Sequence, residues 1–249
     1  MLRTSNPTLS EKIFQSINRT QSLSETMTVK GTINKSIILL LLVIASAAWM
    51  WGKVMNDPEL SLNGWLIGGA IGGFVVAIVI SFKKEWAPVL SPVYALLEGI
   101  FLGGISAIFN EMYPGIVTQA VALTLGVMFI MLFIYRSGLI KVTQKFRFII
   151  MGATAAIALV YLIFFMMHLF GANVSIMYDS SPLGIGISLL VVGIAAFNFL
   201  LDFDLIEKGA ESNLPKYMEW YAAFGLMVTL IWLYIEMLRL LAKIAGRKN

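Results

Sequence analysis

The chain has 249 residues, of which 59% are hydrophobic and only 13% are charged, and its formal net charge is +4. With a mean hydropathy of +0.84, it is more apolar than a soluble domain needs to be. The absence of cysteine excludes disulfides, thiolate metal sites and a cysteine nucleophile, and the charge pattern does not suggest a nucleic-acid partner.

The beginning of the chain differs in kind from the rest. Residues 1–34 are rich in Ser, Thr and Asn and contain no long apolar run, which predicts a polar N-terminal arm that is solvated or lies at the membrane interface. The first apolar run starts only at Ser36, too far along the chain for a cleavable signal peptide. We expect residues 35–249 to form one transmembrane domain.

Seven apolar runs fill that domain. Crossing a bilayer takes about 20 apolar residues in a helix, and the alternating pattern of a membrane barrel is absent. The sequence therefore predicts an all-α membrane protein with seven transmembrane helices and the lipid bilayer as its surroundings. The runs are Ser36–Trp51, Leu62–Phe82, Ala87–Phe109, Gly115–Tyr135, Phe148–Phe170, Leu183–Leu201 and Tyr217–Leu241.

The basic residues predict the orientation of these helices. Thirteen Lys and Arg lie before the first run, which starts at Ser36, or in the loops after runs two, four and six, whereas the three opposite loops contain only Lys53. The positive-inside rule therefore places the N-terminus in the cytoplasm. Seven crossings would place the basic C-terminal residues outside, which conflicts with the positive-inside rule. The last run therefore either crosses the membrane despite these charges or re-enters it without crossing. We favour crossing because Tyr217–Leu241 is long enough.

Small residues in runs two and three indicate where helices touch. Their spacing of four lets two helix backbones approach closely, so we interpret them as packing residues. They are Gly68, Gly69, Gly72, Gly73, Gly99 and Gly103.

Glu98 lies near the middle of the third run. A charged acid at the bilayer centre costs about 2.5–3.5 kcal/mol, so it usually faces the bundle interior, a partner or water. At helical spacing it shares a face with Ser91, Tyr94 and Ser106. We expect Glu98 and Tyr94 to line a pathway or to sense protons; the alternative is a Glu that is simply hydrogen-bonded inside the bundle.

Two aspartates end the sixth run. Asp202 and Asp204 are two residues apart, so on a helix they face nearly opposite directions. Asn198 stands one turn before Asp202 and shares its face. We therefore expect Asp202, with Asn198, to point inward and Asp204 to point outward or into the loop.

Glu219 begins the seventh run and is expected at the same rim as Asp202. Two acids brought together there would respond to pH near the physiological range. Glu236 and Arg239, three residues apart near the far end of the run, are expected to form a local ion pair.

Motifs of catalysis are missing from the sequence. It contains no HExxH, no GxSxG, no P-loop and no dinucleotide fingerprint. We therefore expect neither an enzyme nor a bound cofactor.

Three strings carry a resemblance to a known family: Ser91–Gly103, Phe197–Gly209 and Lys216–Leu226. They resemble the Bax inhibitor-1/YccA family, in its bacterial Bax-inhibitor-like branch, and the resemblance extends over about residues 35–245. It implies a seven-helix bundle with the last helix at the centre, located in the bacterial inner membrane. Characterised members are described as pH-sensitive calcium leak channels gated by a pair of aspartates near the cytoplasmic mouth, and one bacterial member binds and restrains a membrane protease.

The resemblance can be carried over only in part. Asp202 matches the sixth-helix aspartate of the pair, but residues 224–232, where the seventh-helix aspartate is expected, contain no acid. Glu219 could replace it, or the pair could be absent. The second-helix arginine of the family is also missing from Leu62–Phe82.

Two functions follow as expectations. The first is a pH-gated calcium or cation leak, with Asp202, Glu219 and Asn198 at the gate and with Asp202 and Glu98 as transient calcium ligands. The alternative is a non-conducting regulator that binds a membrane protease or another membrane protein.

Overall fold

The computed structural model describes residues 26–57, 61–171 and 180–247. These residues form seven helices that are long and apolar enough to cross a membrane, together with one short 3-10 helix, Lys84–Trp86. The predicted all-α membrane bundle is confirmed. The helices are α1 Val29–Asn56, α2 Leu62–Phe82, α3 Ala87–Met112, α4 Ile116–Ser137, α5 Gln144–Leu169, α6 Pro182–Glu211 and α7 Met218–Gly246.

Several helices extend beyond the apolar runs that predicted them. Helix α1 begins at Val29 because the Thr28 side chain caps it, accepting a hydrogen bond from the Gly31 N–H at 2.9 Å. The last residues of the predicted arm, 29–34, therefore belong to α1, whereas residues 1–25 lie outside the described residues. Helix α6 continues to Glu211, well past the predicted end at Leu201.

The ends of the helices define two faces of the bundle. On the amino face, where α1 begins, Thr28 contacts Glu219 of α7. On the opposite, carboxyl face, α7 ends beside the α3–α4 and α5–α6 connections: a Cβ added at Gly246 would lie 3.0 Å from Tyr113 Oη and 3.2 Å from Ser180 Oγ. Helix α7 therefore runs from one face to the other. This supports the prediction that the last run crosses the membrane rather than re-entering it.

Helix α7 is the centre of the bundle. In its most apolar 18-residue window 61% of the residues are buried, the largest share among the seven helices. It packs against α1, α3, α4 and α6. The expectation of a central last helix is thus confirmed.

Helix α5 is the most peripheral element. Only 6% of its most apolar window is buried, and it packs mainly against α6. Most of its apolar side chains, such as Leu159, Leu162 and Phe165, are exposed on the outer surface of the bundle.

Glycines bring α1 and α3 into close contact, in line with the packing role predicted for Gly99 and Gly103. Gly68 was also expected to pack, but a Cβ there would meet nothing within 4 Å. A Cβ at Gly99 would overlap Ser46 Oγ, and one at Gly103 would overlap the backbone oxygen of Ala47. These two positions therefore tolerate no side chain without a shift of α1.

We predict that Gly99→Ala lowers the free energy of unfolding by about 1–3 kcal/mol, because overpacking forces neighbouring groups apart. The measurement is unfolding of the purified protein in detergent. Gly126→Ala is the matched control, since a Cβ at Gly126 meets nothing within 4 Å. Equal stability of the two variants would contradict the packing assignment.

We also predict that reporters placed before Met1 and after Asn249 lie on opposite sides of the membrane, because seven helices cross it. A reporter in the α6–α7 connection, at Asn213, should lie on the side of the N-terminus. Signals from both termini on one side would contradict the crossing of α7.

Candidate functional site

Asp202 contacts the central helix from α6. The hydroxyl of Thr229 faces its carboxylate, and its Oδ2 atom is buried without a hydrogen-bond partner. None of the ion pairs formed by the described residues includes Asp202. Because α6 continues to Glu211, Asp202 lies about 13 Å inside the helix end at 1.5 Å per residue, deeper than the rim position that the sequence suggested.

Asn198 lies one turn away on the same helix but faces α5. Its Nδ2 donates to Thr154 Oγ1 and to the Ile194 carbonyl oxygen, both at 2.9 Å. Asn198 and Asp202 are therefore neighbours on α6, as predicted, but Asn198 faces α5 and Asp202 faces α7.

Asp204 was expected to point outward or into the loop, and the outward orientation is wrong. Asp204 is only 5% exposed and forms ion pairs with Arg147 of α5 and with Lys208, the latter at 2.8 Å. The two aspartates do face different directions, as their spacing required, but Arg147 at the start of α5 covers the second one. A partner on another helix could not be seen from the spacing within α6.

Glu219 is fully buried in the first turn of α7. Its Oε1 accepts hydrogen bonds from the Thr28 N–H at 3.0 Å, the Thr28 hydroxyl at 2.9 Å and Lys216 Nζ at 2.8 Å. Lys35 Nζ lies 3.4 Å from Oε2. We call this group of Thr28, Lys35, Lys216 and Glu219 the amino-face clamp.

The expected acid pair of Asp202 and Glu219 does not form. Thr229, which bonds to Asp202, lies ten residues after Glu219 on the same helix, a separation of about 15 Å along the axis. Glu219 instead fixes the start of α1 to the start of α7, and Gly31 allows this approach because any Cβ there would overlap the Glu219 carboxylate.

Glu98 faces α2 rather than the central helix. A Cβ at Gly73 would collide with its Oε1, so the carboxyl group lies in the α2–α3 interface. Tyr94 and Ser106, two other members of the predicted polar stripe, face α7. The Tyr94 ring packs edge-on against the Phe224 ring, with 4.9 Å between the ring centres. The Ser106 hydroxyl shares a 2.7 Å hydrogen bond with the Tyr234 hydroxyl. Glu98 and Tyr94 therefore contact different helices: Glu98 contacts α2 and Tyr94 contacts α7.

Two cavities lie beside α7 towards the carboxyl face. The larger, about 580 Å³, lies between α1, α3, α4 and α7, and we call it the four-helix cavity. Its lining contains Asn110, Thr118 and Thr124. The Oγ1 atom of Thr124 is buried and has no hydrogen-bond partner. The smaller, about 270 Å³, lies between α5, α6 and α7 and is called the α5–α7 cavity.

The Glu236–Arg239 ion pair predicted from the sequence borders the α5–α7 cavity. Arg239 Nη1 lies 3.2 Å from Glu236 Oε1, which also accepts a hydrogen bond from the Tyr161 hydroxyl at 2.8 Å. Glu236 is only 2% exposed. The predicted pair is confirmed, and Tyr161 extends it to α5.

The profile of the family described as Bax inhibitor 1 like matches residues 6–246 of the chain. The chain belongs to the Bax inhibitor-1-like family. No curated protein and no solved structure was found to match it.

In this Bax inhibitor-1-like protein a hydroxyl faces the sixth-helix acid. Thr229 lies within residues 224–232, where the resemblance led us to expect a second aspartate, and its hydroxyl faces Asp202. Sequence reasoning noted the missing acid but did not identify Thr229 as the contact. The available signal was that Thr229 is the one hydroxyl in that apolar stretch.

The expected calcium ligands are not brought together. Glu98 packs on Gly73 of α2, and Asp202 bonds to Thr229 of α7. Within the described ranges, no three His, Cys, Asp or Glu side chains are grouped so that they could hold a metal ion.

We predict that Glu219→Gln destabilises the protein by about 1–3 kcal/mol, because it removes a buried charge that accepts several hydrogen bonds and leaves two lysines unpaired. Thermal unfolding in detergent measures the effect. Glu85→Gln on the same face is the control, since Glu85 is exposed. A Glu219→Gln variant as stable as the control would contradict the role of the amino-face clamp.

Proposed function

We propose that this integral membrane protein is a pH-sensitive cation leak with calcium as a permeant ion and Asp202 as the pH-responsive group. One observation carries the proposal: a carboxyl group well inside the bundle faces a hydroxyl of the central helix, one of its oxygens is buried without a hydrogen-bond partner, and no ion pair of the described residues neutralises it. Intramembrane acids are costly and usually functional.

The contact between α6 and α7 supports a link between protonation and conformation. The ionised carboxylate needs more hydrogen bonds than Thr229 alone supplies, because Oδ2 is buried without a partner. The protonated group has no such need. A change of protonation therefore alters the relative free energies of bundle conformations in which Asp202 is dry or hydrated, and the populations shift accordingly.

The four-helix cavity supports a path for the ion on the carboxyl-face side of the bundle. It reaches from Leu40, well inside α1, to Asn110 near the end of α3, and its polar lining is uncharged. Hydroxyl and amide oxygens can replace part of the hydration shell of a cation without trapping it. In this proposal a conducting conformation joins the cavity to the amino face along α7.

The same proposal includes an orientation and a location. The positive-inside rule supports a cytoplasmic amino face, because thirteen basic residues precede the first apolar run or lie in the loops after runs two, four and six. The resemblance to the bacterial branch suggests the bacterial inner membrane, with the four-helix cavity on its external side.

The alternative is a non-conducting regulator that binds a membrane protease or another membrane protein. The observation in its favour is the exposure of α5, whose apolar side chains offer a long lateral surface. Such binding would not depend on the protonation of Asp202, which separates the two functions experimentally.

We predict that Asp202→Asn fixes calcium flux at the level that the original protein shows at acidic pH, because Asn has the charge of the protonated acid. Flux into proteoliposomes is measured across a range of pH. Thr229→Val should change the midpoint of the pH response, since it removes the hydroxyl that faces the carboxylate while leaving the acid in place.

Glu111→Gln serves as the control, because Glu111 is exposed at the end of α3, and it should keep the original pH response. An unchanged pH response in Asp202→Asn would contradict the gating role. No calcium flux at any pH in the original protein would favour the non-conducting regulator.

A further inference from the structure

The three residues before α1 lie across the amino-face ends of α6 and α7. Thr26 forms an isolated antiparallel β-bridge with Pro215 in the α6–α7 connection. The Met27 N–H donates to the Leu214 carbonyl oxygen at 2.7 Å, and the next residue belongs to the amino-face clamp. We call residues 26–28 the strap. Backbone and side-chain hydrogen bonds thus hold it against both helices.

The Met27 side chain points from the strap into the bundle. It is only 3% exposed and forms an apolar cluster, separate from the main core, with Ile206 of α6 and Ala222 of α7. Its sulfur lies 2.9 Å from the position that a Cβ would take at Gly209, so α6 has no side chain where Met27 passes. Met27 therefore fills a gap between α6 and α7 instead of covering their outer surface.

This gap lies on the same seam as the contact between Asp202 and Thr229. Ile206 follows Asp202 by four residues and shares its face of α6. Ala222 precedes Thr229 by seven residues, two turns away on one face of α7. Because α6 runs toward the amino face, Met27 stands between Asp202 and that face, about 6 Å from the acid along α6 at 1.5 Å per residue.

The cluster around Met27 gives no polar side chain to a passing ion or water molecule. Its other members are Ile206 and Ala222, with Leu214 and Met218 packed against them. Apolar constrictions of this kind exclude water and ions until they widen. The unbranched side chain of Met has three rotatable bonds and fills irregular gaps, so it can leave such a gap without rearrangement of the helices.

We propose that Met27 is a hydrophobic plug that closes the α6–α7 seam between Asp202 and the amino face, and that the strap holds it there. A path from the amino face to Asp202 then opens only when Met27 leaves the gap. The effect on ion flow rests on the proposed leak. The seal itself does not, because access of a water-soluble reagent to position 202 can be measured without any ion flow.

The first experiment measures that access in detergent. The chain has no cysteine, so Asp202→Cys provides a single thiol for a charged methanethiosulfonate reagent. Adding Met27→Ala should raise the labelling rate about tenfold or more, because truncation of a buried Met leaves a cavity in its place. Met27→Leu, which conserves volume, should leave the rate unchanged. Val29→Ala is the matched control for truncation, since Val29 is 38% exposed at the start of α1.

A second reporter separates a local opening from a general loosening of the bundle. Thr124→Cys places a thiol at a buried position of α4 beside the four-helix cavity. Met27→Ala should leave its labelling rate unchanged, because the plug lies on the other side of Asp202. A variant that loosens or unfolds the whole protein would raise the labelling rate at both positions.

The second experiment holds the strap in place without altering Met27. Pro215 has no N–H, so Thr26 and Pro215 form a non-hydrogen-bonded pair with Cα atoms about 4.5 Å apart, within the range of a disulfide. Thr26→Cys with Pro215→Cys should therefore form a disulfide when an oxidant is added. Calcium flux into proteoliposomes should fall on oxidation and return on reduction. The single variant Thr26→Cys is the control and should respond to neither treatment.

The outcomes test the seal and its effect on flux separately. Faster labelling at position 202 in Met27→Ala, with unchanged rates in Met27→Leu, in Val29→Ala and at position 124, supports the plug. Equal labelling at position 202 with Met27 or Ala, or equally faster labelling at both reporters, overturns it. Equal flux in the oxidised and reduced double variant overturns its role in ion flow. No flux in any variant would contradict the proposed leak, and labelling at position 202 would still decide the seal.

Discussion

A helix enclosed by other helices must find partners for its polar side chains inside the bundle, because neither water nor lipid can supply them. Helix α7 obeys this constraint along its whole length. Glu219 bonds to α1, Thr229 to α6, Tyr234 to α3, Glu236 to α5 and Lys243 to α6. Each partner fixes both the rotation of α7 and its depth, so the surrounding helices are arranged around its polar positions.

This constraint explains why similar residues serve different purposes. Glu219 has cations and hydrogen-bond donors around it and stabilises the amino face. Asp204 has Arg147 and Lys208. Asp202 faces a single hydroxyl, that of Thr229. Cations around a buried carboxylate offset the cost of burying its charge, so Glu219 and Asp204 serve the structure of the bundle. The single neutral partner of Asp202 leaves more of that cost in place.

The sequence predicted the fold well because hydrophobic length is a local property. Helix ends were less accurate: α6 was expected to end at Leu201 but continues to Glu211, since charged residues can extend a helix beyond the apolar run. The predicted ion pair of Glu236 and Arg239 was correct because the two are neighbours on one helix. The partners of Glu219 and Asp204 were missed because Thr28 and Arg147 come from other helices, and no spacing within one helix reveals them.

The peripheral position of α5 has a mechanical consequence. Little of this helix is buried inside the bundle, so a bilayer thinner or thicker than its hydrophobic length would act on α5 more directly than on the enclosed α7. Three polar links transmit that force: Arg147 to Asp204, Thr154 to Asn198 and Tyr161 to Glu236. The first two end on α6 on either side of Asp202, so tilting of α5 in response to membrane thickness would pull on the segment of α6 that holds this acid.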